Sequence, residues 1–243
     1  MRALLLLTFM LVAFLYSKAS HAGLVVSWVM PSKKIHFTVE YENPEKIRMS
    51  IEENLYLLVT ASNIYVVNED SVTDVFAFRD KIKDWAIVRY LSEKMLARAK
   101  KVPTPGSLKS LGKSERVAGI EGEVYQAEIF DPDTGQKELR EYVLTKDKRL
   151  VELKHALQAV SDHNMKTFHN DGFNQMRNSF NQTFPTDVFV LRYANKFYIE
   201  SVNERALAPE RFSLPAGAEI KDLPSLSDLG TFIRLATPLA YSN

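Results

Sequence analysis

The sequence predicts an α+β fold: a large, curved antiparallel sheet with helices packed on one face. Alternation of apolar and polar residues, the period of a half-buried strand, dominates the first third of the chain. The period changes to helical spacing over residues 84–100 and again over residues 155–182. Short polar turns join the strand segments. The sequence lacks the short strand-helix-strand units that build a parallel sheet. These observations favour an antiparallel sheet over a parallel one.

The first predicted strands form a meander between residues 35 and 79. The apolar positions of the first two strands are Ile35, Phe37, Val39 and Tyr41, then Ile47, Met49 and Ile51. The Asn43-Pro44 pair predicts the turn between them. Segments 55–60, 64–67 and 75–79 continue the meander across two polar turns.

Residues 84–100 are predicted to form an amphipathic helix. Their apolar residues at helical spacing are Trp85, Val88, Leu91, Met95 and Ala99. A Pro-Thr-Pro-Gly linker at residues 103–106 ends this helix, because proline cannot continue the hydrogen-bonded ladder.

The second half of the chain repeats this plan. A strong turn signal at residues 131–135 predicts a hairpin of strands 122–130 and 137–145. Further strands are predicted at residues 149–153, 187–193, 197–203 and 210–214. Apolar residues at helical spacing predict helices between about residues 155 and 182, with a break at Asp171-Gly172. From about residue 221 the pattern fades, so residues 23–243 are interpreted as one domain with an irregular C-terminal tail.

Residues 1–22 have the features of a secretory signal peptide. Arg2 gives a positive start, residues 3–16 are mostly apolar, and Ser20-His21-Ala22 offers small residues for cleavage after Ala22. About 14 apolar residues span only ~21 Å as a helix, less than the roughly 30 Å of a bilayer core. We therefore expect export with cleavage, and an uncleaved membrane anchor is the alternative.

The composition restricts the class of protein. Cleavage would take Lys+Arg from 31 to 29 against 30 Asp+Glu, so the mature chain is close to neutral and does not indicate nucleic-acid binding. The chain has no cysteine, which excludes disulfides, thiol catalysis and cysteine metal sites. An exported chain without disulfides fits a bacterial periplasm better than a eukaryotic secretory route.

Several of these segments resemble the periplasmic lipoprotein-carrier (LolA/LolB-like) superfamily. The opening sheet carries the resemblance in residues 37–41 (FTVEY), 44–49 (PEKIRM), 57–59 (LLV) and 64–67 (IYVV). Residues 119–122 (GIEG), 124–125 (VY) and 212–217 (FSLPAG) resemble the closing half of related periplasmic domains. The resemblance covers most of residues 33–217. It implies an incomplete barrel whose concave face is apolar and covered by a helical lid, a shape that holds a lipid, an acyl chain or a lipoprotein.

The resemblance also implies a set of ligand-binding residues. The positions compatible with a lining are Phe37, Val39, Ile47, Met49 and Ile51 on strands, and Trp85, Met95, Phe168, Met176 and Phe180 on helices. Methionine and phenylalanine suit a deformable apolar pocket. Arg48 matches the strand arginine of the family. The alternative interpretation is an ordinary packed core, with Arg48 on a solvated strand face.

The sequence offers little support for an enzyme. The potential metal ligands His155, Asp162, His163 and His169 lie in one predicted helical stretch, but their spacing forms no His-x-x-x-His or His-Glu-x-x-His pair. No nucleophile elbow or phosphate-binding glycine loop is present in the sequence. We therefore predict no catalytic residues, no metal and no cofactor.

Three functions from different classes stay open at this stage. The first is an exported binding protein that holds a hydrophobic ligand, a lipid or an acylated protein, under its lid. The second is a periplasmic module that binds an envelope protein or senses envelope stress without a small-molecule ligand. The third is a hydrolase of unrecognised type.

Overall fold

A computed structural model describes five segments of the chain. They are residues 22–69, 71–82, 107–130, 136–165 and 184–221. The signal-peptide prediction for residues 1–22, the helix predicted at 84–100 and the tail after residue 221 lie almost entirely outside these segments. So does the predicted break at Asp171-Gly172.

The described residues form one open twelve-stranded sheet. Its strands are β1 (Gly23–Met30), β2 (Ile35–Asn43), β3 (Lys46–Glu52), β4 (Leu55–Val59), β5 (Ile64–Asn68), β6 (Ser71–Asp74), β7 (Lys109–Val117), β8 (Ile120–Phe130), β9 (Lys137–Thr145), β10 (Phe189–Tyr193), β11 (Phe197–Arg205) and β12 (Glu219–Lys221). The spatial order is β12-β6-β5-β4-β3-β2-β1-β11-β10-β9-β8-β7. All neighbours are antiparallel except β12 and β6, which are parallel. The predicted large antiparallel sheet is therefore confirmed.

Strand β1 joins the two halves of the sheet and was not predicted from the sequence. It pairs with β2 on one side and with β11 on the other. Nearly all of its side chains are buried, on both faces of the sheet. A strand that is buried on both faces shows no polar-apolar alternation, so the pattern that identified β2 and β3 was missing here.

Two α-helices are described, α1 (Val75–Ile82) and α2 (Lys148–Met165). Residues 75–79 were predicted as a strand, and this prediction is wrong. The Asp74 carboxylate accepts hydrogen bonds from the backbone N–H groups of Phe76 and Ala77, both at 2.9 Å. This is N-cap geometry, and it starts a helix directly after β6.

The strand predicted at residues 149–153 is also wrong, because this segment is the beginning of α2. Asp147 caps the helix by accepting a hydrogen bond from the Arg149 N–H at 3.0 Å. At residues 210–214 the predicted strand is replaced by a 3-10 helix, Pro209–Phe212. Proline lacks the N–H that a strand ladder requires, and it favours the first turn of a helix.

One face of the sheet, here called the apolar face, carries the main hydrophobic core. Buried apolar side chains on this face come from β1 to β5 and from β7 to β11. Helix α2 packs on it through Leu150, Leu153, Ala156, Leu157 and Val160. These positions form one helical stripe, and this is why the helix lies flat against the sheet.

The half of the sheet from β7 to β11 curls toward the apolar face. Cα atoms of β11 and β7 come within 8 Å of each other, whereas four strand spacings span about 19 Å in a flat sheet. On the apolar face, Arg192 of β10 forms an ion pair with Glu115 of β7 at 2.7 Å. Gly122 of β8 allows this curl, because a Cβ there would lie 3.0 Å from Leu191 Cδ1 and 2.6 Å from Val143 Cγ1.

Residues 206–218, here called the C-terminal strap, cover part of the opposite face. Phe212 of the strap is buried in a second apolar cluster with Tyr56, Leu58, Val67 and Val72 of strands β4 to β6. The described part of the sheet is therefore covered by a helix on one face and by an irregular segment on the other. A lid of several helices is not established by the described residues and remains a prediction.

Candidate functional site: the two faces of the sheet

The strand residues predicted to line a ligand site lie together on the apolar face. Val39 is paired with Met49 and Tyr41 with Ile47 across β2 and β3. Phe37, Val39, Ile47 and Met49 are buried, and Val39 and Ile47 are 0% exposed. Ile51 is partly buried at the margin of the same cluster. The sequence thus predicted correctly that these side chains share a face.

The five lining residues predicted on helices lie outside the described residues. They are Trp85, Met95, Phe168, Met176 and Phe180. Their participation in a ligand site therefore stays a prediction.

Sequence reasoning missed Trp28, which lies near the middle of the apolar face on β1. Its ring stacks on Phe37 at a centroid distance of 4.9 Å and lies 6.4 Å from the ring of Phe189. The side chain is 0% exposed. Among the described residues, its indole nitrogen Nε1 has no hydrogen-bond partner. The signal that could have identified this residue is a tryptophan inside an apolar run directly after the predicted cleavage site.

Polar contacts at the edges of helix α2 fix it to the sheet. The Tyr41 hydroxyl donates a hydrogen bond to Glu152 Oε1 at 3.0 Å. Burial and this carboxylate raise the pKa of Tyr41 well above its usual value, so the hydroxyl keeps its proton. Lys154 Nζ donates to the Val188 carbonyl at 2.7 Å, and burial lowers the pKa of Lys154. These polar contacts therefore lie on either side of the apolar side chains through which α2 packs on the sheet.

Arg48 lies on the opposite face from Ile47 and Met49, because successive strand residues point to opposite faces. Arg48 is only 5% exposed, so it does not belong to a solvated strand face. Its guanidinium carbon lies 3.5 Å from the centroid of the Tyr56 ring. Nη2 donates a hydrogen bond to the Glu53 carbonyl at 2.6 Å. Burial, and then the nearby Arg211, lower the pKa of Arg48.

Glu40 is the centre of an ion-pair network around Arg48. Its carboxylate is 2% exposed and accepts hydrogen bonds from Arg211 Nε at 3.0 Å and Nη2 at 2.8 Å. The same carboxylate lies 3.7 Å from Arg48 Nε and 3.6 Å from Arg205 Nη2. Because Arg211 belongs to the C-terminal strap, this network fastens the strap to the sheet.

A groove of about 680 Å³ lies beside this network, between the strap and the turns that join β3 to β4 and β5 to β6. Its lining residues are Arg48, Glu53, Asn54, Tyr56, Glu69, Glu210, Ser213, Leu214, Pro215 and Ala216. The groove is mostly polar and open, in contrast to the apolar face on the other side of the sheet.

The network predicts a pH-dependent contribution of Glu53 to stability. A hydrogen bond from Arg211 lowers the pKa of Glu53 below its ordinary value of 4.5. Because the pKa of Glu53 is lower in the folded state than in the unfolded state, the ionised Glu53 stabilises the fold above pH 4.5. This contribution is lost as the pH falls through the folded-state pKa. Because Glu53 is 70% exposed, the effect should stay below about 1 kcal/mol.

The measurement is urea denaturation of wild type and Glu53→Gln between pH 7 and pH 3. We expect the wild type to be slightly more stable at pH 7 and the difference to disappear in acid. A difference that does not change with pH would show that the Arg211 contact does not depend on the Glu53 charge.

The described residues contain no group of three histidine or carboxylate side chains close enough to hold a metal ion. His155 is exposed, and its Nε2 lies 3.1 Å from the carbonyl oxygen of Thr186. Neither described helix combines the length and the apolar character needed to cross a bilayer.

Fold and site together define an open β-sheet protein with an apolar face under a helix and a polar groove on the other face. No family model matches the chain, and comparison with curated proteins and with solved structures finds no significant match. The lipoprotein-carrier resemblance therefore rests on the sequence motifs alone.

Proposed function

We propose that this protein is an exported, non-enzymatic binding protein that holds a hydrophobic ligand, a lipid or an acylated protein, between the curved sheet and a helical lid. The observation that carries the proposal is the breadth of the apolar face. Buried apolar side chains from ten strands contribute to it. The five strands β1 to β5, which lie outside the curled half, alone span about 19 Å in a flat sheet, whereas one helix with its side chains is about 10 Å across.

Helix α2 alone is therefore too narrow to cover this face. In the proposal, the helices predicted from the sequence at residues 84–100 and 155–182 complete the lid, and the ligand shares the apolar face with them. The lipoprotein-carrier resemblance supports the same arrangement. The curl of β7 to β11 toward this face supports a concave shape that can surround an elongated ligand.

Ligand entry requires that the covering side chains move. Water has no access to Val39 or Ile47, so no space of ligand size is open at these residues. A ligand that reaches them must displace the side chains that now cover them. The proposal thus couples binding to an opening of the lid.

Export belongs to the same proposal. The predicted cleavage after Ala22 would make Gly23, the first residue of β1, the new amino terminus. Since every described strand begins at or after Gly23, the mature chain would keep all of them. We propose a periplasmic location on this basis.

Substitution of Met49 by tryptophan tests the function. We expect Met49→Trp to abolish binding of a fluorescent fatty-acid probe, because the larger ring occupies the position that the ligand takes when the apolar face opens. The test uses the chain exported to the periplasm, and intact mass establishes its amino terminus. Ser50→Trp is the matched control, since Ser50 is the next residue of β3 and faces the other side.

A simple packed core gives a different result, because a wild type without a ligand site does not bind the probe at all. Overpacking at the buried Met49 costs about 1–3 kcal/mol in either case, so probe binding and not the melting temperature decides the test. A wild type that never binds the probe would overturn the proposed function.

Binding of an envelope protein without a small-molecule ligand is a second candidate function. The polar groove beside the C-terminal strap favours it, because Glu69 and Glu210 are exposed on its wall and can meet a basic partner surface. Charge reversal at both residues, Glu69→Lys with Glu210→Lys, should abolish a specific periplasmic cross-link of the wild type. If the cross-link persists in the reversed variant, the groove is not the binding surface.

A further inference from the structure

We propose that the indole N–H of Trp28 donates a hydrogen bond to the carbonyl oxygen of a bound acyl group. The inference rests on the proposed function and names the ligand chemistry: an acyl chain attached through an ester or an amide. Trp28 lies on the central strand β1, within the surface that the ligand would occupy.

The unpaired donor is the observation that leads to this chemistry. Nε1 is buried and, among the described residues, has no hydrogen-bond partner. Buried polar groups normally have a partner, and an unpaired buried donor costs stability. A phenylalanine could stack on Phe37 equally well without this cost. The donor is useful to the protein if an acceptor reaches it in the liganded state.

The surroundings favour a neutral acceptor over a free carboxylate. The rings next to the indole are those of Phe37 and Phe189. Arg192 on the apolar face is already paired with Glu115. A charged carboxylate would therefore be buried without a countercharge, which is strongly unfavourable. An ester or amide carbonyl accepts the hydrogen bond without that penalty.

The same carbonyl chemistry occurs in a lipid ester and in the amide of an acylated protein. The test therefore compares 1-palmitoylglycerol, an N-palmitoyl peptide and the ether 1-O-hexadecylglycerol, which has no carbonyl. The protein is the mature chain with both of its tryptophans, because Trp85 is itself a predicted lining residue and is kept unchanged. Binding is measured by displacement of a fluorescent fatty-acid probe.

We expect the ester to bind about tenfold more tightly than the ether, the difference that one hydrogen bond provides. If acylated protein is a ligand, the N-palmitoyl peptide should also bind more tightly than the ether. If lipid is the ligand, the lipid ester alone should bind more tightly than the ether. In Trp28→Phe, measured by displacement of a fatty-acid probe, the ester and the ether should bind equally.

A proton NMR measurement covers the case in which Trp28→Phe does not fold. The Trp28 indole N–H resonance should move downfield with the ester and not with the ether. Equal binding of ester and ether by the wild type, or a preference that survives in Trp28→Phe, overturns the inference and leaves the proposed function intact. If none of the three ligands binds, the proposed function is wrong and this inference is wrong with it.

Discussion

Replacement of Glu40 by alanine should lower the free energy of unfolding by about 3–5 kcal/mol. Glu40 is the acceptor for two hydrogen bonds from Arg211 and lies 3.7 Å from Arg48 Nε. Without this carboxylate, the guanidinium of Arg48 stays buried, and among the described residues the carboxylate that remains within 4 Å of it is the exposed Glu53. Removal of one partner from a buried pair is costly because the remaining charge has lost both water and countercharge.

Glu42→Ala is the matched control for this prediction. Glu42 is on the same strand and pairs with Lys46 at 2.9 Å, but this pair is partly exposed. Exposed pairs contribute about 0–1 kcal/mol, so the control should lose little stability in urea denaturation. Equal losses at Glu40 and Glu42 would contradict the assignment of Glu40 as the centre of the network.

A double substitution separates the charge from the packing. In the Glu40→Met background, Arg48→Met should recover part of the lost stability, because it removes the buried charge that had become unpaired. If Arg48→Met only adds to the loss, the contact of Arg48 with the Tyr56 ring is more important than its charge.

Substitution of Gly122 by alanine should destabilise the protein by about 1–3 kcal/mol. The new Cβ would lie 2.6 Å from Val143 Cγ1 and 2.9 Å from the Leu144 carbonyl oxygen. That carbonyl belongs to the strand paired with β8, so it cannot move without disturbing the ladder. The clash should also weaken the Arg192–Glu115 ion pair, since Gly122 lies between the strands that carry it.

Gly23→Ala provides the comparison. A Cβ at Gly23 would lie 2.2 Å from Leu207 Cδ1, but Leu207 is only partly buried and its side chain can rotate away. We expect a clearly smaller drop in melting temperature for Gly23→Ala than for Gly122→Ala. Similar drops in melting temperature for both variants would show that the destabilisation by Gly122→Ala does not come from the close approach of Gly122 to the backbone of β9.

The amino-acid pattern predicted those parts of the fold in which one face of a strand differs from the other. Strands β2 and β3 were predicted because their apolar residues alternate, and the hairpin of β8 with β9 was predicted from the turn signal at residues 131–135. The same alternation placed Phe37, Val39, Ile47 and Met49 on a common face. Strand β1 was missed because it is buried on both faces. Helix α1 was mistaken for a strand, although the Asp74 cap that starts it is a local signal.

The sequence by itself determined which residues share a face, because strand and helix periods are local properties of the chain. The tertiary structure alone decided that Arg48 is buried beside Glu40, which in turn binds Arg211 at a distance of 171 residues along the chain. It also decided that the Trp28 indole lies in the middle of the apolar face, since β1 reaches that position by pairing with β11 from the far end of the chain. Contacts of this kind depend on the order of strands in the sheet, and no local pattern encodes that order.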